Sequence, residues 1–234
     1  MFERNTLVVV GLVGFAALGC SKETTSSANI KTGGFATLID VYADNDTTSR
    51  VHVVLKVGGS SSNTYIALEN GDKLTATDGD AKKTLTATDT GIYEANFAGV
   101  TEDTVFTVAL ERTDETATSS GTLPAPFALE KPMAGLSRKA DPLEVDWSPA
   151  NTGDSMVLDV SGDCIFDDSN EISDTGSYVI PKDTLKSTGG DMPTTCDLTF
   201  ALDRKRSGTA DPAFDPESYV LLHQRRKATA TSLP

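Results

Sequence analysis

The segment Val51-His52-Val53-Val54-Leu55-Lys56-Val57 carries an apolar side chain at every second position. Successive side chains of a β-strand point to opposite faces, so this alternation predicts a strand with Val51, Val53, Leu55 and Val57 on one face. The residues that follow, 58–63, are Gly, Ser and Asn, which are typical of a turn. The segment therefore predicts a sheet with one face in a hydrophobic core.

Similar short apolar segments continue on both sides of this strand, and clusters of Gly, Asn, Asp and Ser separate them. No long stretch has helical periodicity, so the pattern predicts an all-β protein built from sandwiches. The strands predicted in the first half are 35–42, 51–57, 65–68, 73–77, 83–88, 91–97 and 105–112. Those predicted in the second half are 127–130, 143–147, 156–161, 177–180, 196–203 and 219–229.

The chain is long enough for two such sandwiches. It has 234 residues, of which 38% are hydrophobic and 23% are charged, which is sufficient for packed cores in domains of about 100 residues each. Residues 114–126 turn to Thr, Ser, Gly and Pro, a composition typical of a connection between domains. We therefore predict a first domain over 30–118, a linker over 119–126 and a second domain over 127–234.

The amino terminus predicts export. Leu7 to Leu18 is apolar and uncharged, and it is shorter than the roughly 20 residues that a membrane-spanning helix needs, which favours a cleaved signal over a buried helix. The run ends in Ala17-Leu18-Gly19-Cys20, which resembles the lipobox of bacterial lipoproteins. The resemblance implies a signal peptide over 1–19, a diacylglyceryl group on Cys20 and an amino-terminal acyl chain such as palmitate.

Ser21 follows the lipid-bearing cysteine that this resemblance implies. In the best-known sorting rule of the family, a residue other than Asp at that position implies the outer membrane. Residues 21–29 are rich in Ser and Thr without apolar periodicity, which predicts a flexible tether over 20–29. The expected location is the cell envelope, with the membrane contacted through the lipid.

The remaining two cysteines, Cys164 and Cys196, form an even pair in an exported chain, which predicts a disulfide. A zinc site is not favoured, because His52 and His223 stand alone and the sequence contains no CxxC. The sequence predicts no cofactor.

Two further segments resemble immunoglobulin-type domains. Residues 89–95, Asp-Thr-Gly-Ile-Tyr-Glu-Ala, resemble the stretch around the tyrosine corner, with Ala95 in place of cysteine; a Tyr in an edge strand is the alternative. Trp147 resembles the tryptophan of an early strand in fibronectin-type sandwiches, so we expect it in a core. The whole layout resembles uncharacterised bacterial surface lipoproteins, which implies two tandem immunoglobulin/fibronectin-like β-sandwich domains after a cleaved lipoprotein signal.

An acidic segment offers oxygen ligands of the kind that calcium takes. The candidate ligands are Asp163, Asp167, Asp168, Asn170 and Glu171. An EF-hand pattern is not matched, because Asp167 and Asp168 are adjacent. A solvated loop is the alternative, and the sequence predicts no metal elsewhere.

Two basic triplets lie in or beside the last two predicted strands. They are Arg204, Lys205 and Arg206, and Arg225, Arg226 and Lys227. If these strands pair as a hairpin, the triplets are expected to form a basic patch that faces an anionic polymer or lipid headgroups. The alternative is protection of edge strands by positive charge.

The net charge of -14 argues against nucleic acid as a partner. Gly153-Asp154-Ser155 resembles the nucleophile block of an esterase family, but it lies mid-chain in a β-rich stretch, and no Asp precedes His223 at the spacing of that family. We expect a noncatalytic envelope module for binding, adhesion or scaffolding, with an envelope protein or glycan as partner. The alternatives are an envelope carbohydrate-active hydrolase that uses loop carboxylates and a calcium-stabilised structural module.

Overall fold

A computed structural model describes residues 22–189 and 194–234. Within these ranges the regular structure is β, apart from two single-turn 3-10 helices over Ser27–Asn29 and Thr32–Gly34. The described residues contain no helix that is both long and apolar enough to span a membrane. The all-β prediction is confirmed.

The first half folds into two packed sheets. Its strands are β1 (Glu23–Ser26), β2 (Phe35–Ala43), β3 (Ser49–Val57), β4 (Thr64–Ala67), β5 (Lys73–Thr77), β6 (Lys82–Thr84), β7 (Thr86–Asp89), β8 (Ile92–Phe97), β9 (Val105–Glu111) and β10 (Thr116–Thr122). One sheet has the order β2-β3-β8-β7, with β4 and then β1 added beside the end of β3, and the other has the order β10-β9-β5-β6. If the strands from β2 to β10 other than β4 are lettered in chain order, with β6 as C′, these are the ABED order and the GFC order extended by C′ that immunoglobulin-type sandwiches have.

The second half repeats this design with fewer strands. Its strands are β11 (Ala128–Leu129), β12 (Leu136–Ser137), β13 (Leu143–Ser148), β14 (Ser155–Ser161), β15 (Asp168–Ile172), β16 (Ser177–Ile180), β17 (Cys196–Ser207) and β18 (Tyr219–Leu233). The small sheet has the order β11-β13-β16, and the larger one runs β15-β14-β17-β18. The two halves are therefore sandwiches of the same strand order.

Each sandwich encloses its own hydrophobic cluster. Val51, Val53 and Leu55 of β3 are buried in the first core, in the alternation that the sequence predicts. Trp147 of β13 is buried in the second core, which confirms its prediction. Tyr93 is also buried, but its hydroxyl accepts a hydrogen bond from the backbone N–H of Leu68 at 2.8 Å, so it anchors the segment after β4 and not the backbone a few residues upstream.

The last strand joins the two sandwiches into one continuous sheet. β18 pairs in parallel with β2, from Tyr219 beside Leu38 to Gln224 beside Ala43, and antiparallel with β17 along almost its whole length. Fifteen residues of extended chain span about 45–50 Å, which is enough to border both cores. The strand buries Val220 and Leu222 in the first core and Ala230 in the second.

Residues 119–126, which the sequence predicts to be a linker, do not form an exposed connection. Residues 119–122 belong to β10, and Leu123 and Ala125 are buried. β10 crosses the end of the β17–β18 hairpin so closely that a Cβ on Gly121 would lie 3.1 Å from the Cα of Gly208. This close approach explains why a strand of Thr, Ser and Gly stands here, and why the composition resembles a loop.

The prediction of a flexible tether over 20–29 is wrong for the residues that the structure places from Glu23 onward. β1 pairs in parallel with β4, from Glu23 beside Thr64 to Ser26 beside Ala67. Ser27 is fully buried, and its hydroxyl accepts the backbone N–H of Glu69 at 3.0 Å. The side chains of Ser26 and Ser27 thus serve as backbone hydrogen-bond partners. The predicted signal peptide 1–19 and Cys20 lie outside the described residues.

Candidate functional site

The basic triplets lie on the β17–β18 hairpin, but the pleat sends their side chains to opposite faces. Arg204, Arg206 and Arg226 point into the seam between the cores, where they bond backbone oxygens of Ala125, Leu123 and Ala43. Lys205, Arg225 and Lys227 occupy the alternate positions on the outer face. The prediction of one exposed basic patch is therefore wrong. Edge protection is wrong as well, because both strands are internal to the sheet.

Arg204 is fully buried at the centre of this seam. Its guanidinium donates to Asp174 at 2.9 Å and to the backbone oxygens of Ala125 and Pro149 at 2.8 and 2.7 Å. Burial opposes the charge of Asp174, but hydrogen bonds from Thr152, Trp147 and Arg204 outweigh it and lower the pKa of Asp174 to about 2. Arg204 therefore connects the segment between the cores to the second core.

Arg206 binds the carboxylate of Asp154, the acidic residue of the esterase-like block. It donates to both oxygens of Asp154, at 2.8 and 3.0 Å, and to Asp103 at 2.7 Å; the bonds with Asp154 raise the pKa of Arg206. The hydroxyl of Ser155 donates to the backbone oxygen of Lys205 at 3.3 Å. Gly153-Asp154-Ser155 is thus the turn before β14 and the first residue of that strand, tied to the hairpin.

The outer face of the continuous sheet carries a polar cluster that the sequence did not predict. His223 of β18 lies between two carboxylates: Nδ1 is 2.9 Å from Asp203 of β17, and Nε2 is 3.2 Å from Asp40 of β2. Tyr219 donates to Asp40 at 3.2 Å. Burial opposes the imidazolium, but the hydrogen bonds with Asp203 and Asp40 outweigh it and raise the pKa of His223. Both ring nitrogens are occupied, so this histidine holds three strands together.

Tyr42 extends this cluster toward the first sandwich. Its ring centroid is 4.7 Å from that of His223, and the guanidiniums of Arg225 and Arg50 lie 4.0 and 5.1 Å from it. Arg50 also pairs with Glu94, and Arg225 pairs with Asp44 at 2.6 Å. Because the cations are already paired with carboxylates, the cluster stabilises the sheet rather than offering a strong anion site.

The calcium candidates do not converge. Residues 168–172 form β15 at the sheet edge, and strand alternation directs Asn170 and Glu171 to opposite faces. The side-chain amide of Asn170 donates to Asp168 at 2.7 Å. Within 22–189 and 194–234, no three His, Cys, Asp or Glu side chains are grouped so that they could hold a metal ion. Asp163 and Asp167 lie before this strand, and the three candidates within it are divided between its two faces.

A disulfide joins Cys164 and Cys196, as the sequence predicts, and it lies at one end of the second sandwich. Cys196 begins β17 opposite Ser232, near the end of β18. The backbone oxygen of Cys164 accepts the N–H of Thr188 at 3.1 Å, and the N–H of Phe166 donates to Lys186 at 3.0 Å. The disulfide and these bonds hold the segment around Phe166 on a fixed support.

We call this end the distal end, because β18 starts beside Leu38 in the first sandwich and finishes here. Met133 and Leu233 belong to it: Gly135 N–H donates to Thr231 at 2.7 Å, and Arg138 N–H donates to Leu233 at 3.1 Å. Met133, Phe166 and Leu233 are three of the five large apolar side chains that are exposed in the described part of the chain. We define these three as the distal surface.

Comparison with known proteins yields distant likenesses to solved structures only. No family model and no curated protein matches the chain. The FN1–FN3 domains of chicken CNTN1 are similar with 11% identity and a TM-score of 0.30, over 85% of this chain, which spans 66% of that chain. A DUF3823 family protein from Parabacteroides merdae is similar with 10% identity and a TM-score of 0.25, over 84% of this chain and 99% of that chain. Likenesses at this level support no inference about function.

Proposed function

We propose that the chain is a noncatalytic lipoprotein of the cell envelope that is anchored through Cys20 and binds a protein or glycan through its distal surface. The lipobox-like residues 17–20 support the anchor and, with Ser21, the outer membrane. The strand order supports the binding role, because sandwiches of this order commonly use end loops for recognition.

The exposure of Phe166 is the observation that carries the binding role. Its side chain is 63% exposed on a segment tied down by the Cys164–Cys196 disulfide. Burying a Phe side chain is worth about 1.5–3 kcal/mol, and a prefixed support avoids most of the ordering cost of binding. Aromatic side chains of this kind are frequent anchors at protein interfaces.

The polar groups of the described chain support a noncatalytic role. A histidine that acts as a general base needs a ring nitrogen that can accept a proton, and both nitrogens of His223 are bonded to carboxylates. Ser155 donates to a backbone oxygen instead of to a base, and its neighbour Asp154 is held by Arg206. Neither group is available to a substrate in this arrangement.

A carbohydrate-active hydrolase is the second candidate, and one cavity favours it. The cavity, of about 510 Å³, lies over the small sheet of the second sandwich and is lined by Glu130, Glu144 and Asp146 together with Met133 and Val179. Glu144 and Asp146 are two residues apart on one strand face, so their Cα atoms are about 7 Å apart and both side chains line the same cavity, as a pair of glycosidase carboxylates must. Release of reducing sugar from envelope polysaccharide that is lost in Glu144→Gln would favour this candidate over ours.

The binding role is tested with a photo-crosslinking amino acid introduced at position 166 in the full chain, expressed in a host with its envelope intact. Position 105 is the matched control, because Val105 is 49% exposed but lies in the first sandwich. We expect a discrete protein or glycan adduct from position 166 and none from position 105. In parallel, in residues 22–234 prepared without the lipid, Phe166→Ser should reduce retention on isolated envelope at least tenfold, and Val105→Ser should leave it unchanged. Equal behaviour of the two positions would refute the assignment of the distal surface.

A further inference from the structure

The chain enters the first sandwich at the end that lies farthest from the distal surface. β3 runs toward this end and β4 runs away from it, and β1 is parallel to β4, so the residues before Glu23 lie beyond the end of the sheet. Glu23 N–H donates to Asn63 at 3.2 Å, and Lys22 pairs with Asp89 at 2.6 Å. We call this the proximal end.

The covalent chain leaves little distance between this end and position 20. Lys22 is two positions after Cys20, and a fully extended chain covers at most about 3.6 Å per residue, so the Cα atoms of these residues lie within about 7 Å. This maximum distance is short because β1 pairs with β4, where the sequence had predicted a flexible tether. A lipid on Cys20 therefore brings the proximal end down to the headgroup layer.

The side chains at the proximal end suit that layer. Tyr65 of β4 has the ammonium groups of Lys22 and Lys56 at 5.1 and 5.5 Å from its ring centroid. Tyr favours the membrane interface because its ring is apolar and its hydroxyl is polar, and Lys extends an apolar stem toward charged headgroups. Three carboxylates lie at this end as well: Asp89 pairs with Lys22, Glu217 accepts from Ser60 and Glu23 accepts from Thr64, so electrostatic attraction to anionic lipid is weak here.

We propose that the proximal end rests on the membrane, with Tyr65, Lys22 and Lys56 in the headgroup region, and that the distal surface is held about 45–50 Å above it by β18. This inference rests on the lipid anchor of the proposed function. The partner of the proximal end is a lipid surface, and the molecule stands on it as an upright rod and not as a tethered pair of domains.

Energy transfer from tryptophan to dansyl-labelled phosphatidylethanolamine in phosphatidylcholine vesicles tests the orientation. The acylated full-length protein is used as Tyr65→Trp and as Phe166→Trp; both variants retain Trp147, which gives a constant background signal. After the wild-type signal from Trp147 is subtracted, we expect energy transfer from position 65 to be at least threefold larger than that from position 166. Replacing part of the phosphatidylcholine by phosphatidylglycerol should change this ratio little, because the lipid anchor and not charge sets the height.

A second variant carries ten Gly and Ser residues inserted between Ser21 and Lys22. It is read at position 61 as well as at position 65, because Ser61 is exposed in the loop at the proximal end, so that Ser61→Trp keeps the inference testable if Tyr65→Trp perturbs the fold. The insert adds a flexible reach of about 15–20 Å, so transfer from position 65 should fall by at least half. Equal transfer from positions 65 and 166 in a protein whose intact mass shows the acyl chains would overturn the upright orientation and leave the anchor standing. An unacylated mature chain would overturn the anchor and the orientation together.

Discussion

The two sandwiches share a strand order but close their cores by different means. Among the residues that the structure describes, the first core contains 21 buried residues and no disulfide, and three of them, Phe214, Val220 and Leu222, come from the carboxyl-terminal part of the chain. The second core contains 15 and is fastened at its distal end by Cys164–Cys196. The smaller core is thus closed by a covalent bond between two residues of the second half. The larger core instead depends on three residues that lie about 100 positions after its other members.

This difference predicts that the halves behave unequally when they are separated. Residues 22–126 lack the three late side chains, each worth about 1.5–3 kcal/mol of burial, and they lack β18 as partner of β2. The sum is comparable to the whole stability of a small domain, so this fragment should show no cooperative urea transition. Residues 127–234 keep their own core and disulfide and should melt cooperatively. A cooperative transition of the 22–126 fragment would show instead that the predicted boundary at 119–126 separates independent domains.

The next largest effect is expected at the seam between the cores. Arg204→Met leaves Asp174 buried without its cation, which should lower the free energy of unfolding by about 3–5 kcal/mol in urea titrations. Lys205→Met is the matched control, since the neighbouring side chain points to the outer face, and it should change stability by less than about 0.5 kcal/mol. Equal urea midpoints for the two variants would mean that Arg204 does not join the sandwiches.

Removal of the disulfide should affect the second sandwich alone. Cys164→Ala with Cys196→Ala opens a loop closed over a sequence separation of 32 residues, which costs about 3–4 kcal/mol in the chain-entropy model. Amide hydrogen exchange should accelerate in β14 and in the distal part of β17, and stay unchanged in β3 and β8. Uniform acceleration across both sandwiches would argue that the whole molecule unfolds as one cooperative unit.

The smallest effect should come from pH, through the histidine at the junction. Because the pKa of His223 is raised in the folded protein, its protonated form stabilises the fold below about pH 6.5, and this contribution is lost as pH rises through the folded pKa. His223→Gln should remove about 1 kcal/mol of this dependence from urea melts at pH 6 and pH 9. Unfolding of the wild-type chain at the same two pH values is the reference. An unchanged slope in His223→Gln would assign the pH dependence to other groups.

The parts of the fold that the sequence predicted are those in which apolar residues alternate. Residues 51–57 and 143–147 form strands with the expected buried faces, and Trp147 is in the core. β1 and β10 were missed because Ser and Thr occupy positions that usually carry Val or Ile, and their burial depends on neighbours that are distant in sequence. β15 was taken for a loop because its residues are acidic, and its exposed edge position tolerates them.

By itself the sequence determined the all-β class, the two cores and the cysteine pairing, because alternation and an even number of remaining cysteines are local or countable properties. Tertiary structure alone decided that β2 and β18 pair and that the hairpin cations divide between two faces. It also brought Asp40, Asp203 and His223 together from three strands. The physical reason is that β2 and β18 pair between residues about 180 positions apart, and such a pairing leaves no periodic signal in the sequence. The fit of two whole sandwiches selects this pairing, and no single segment specifies it.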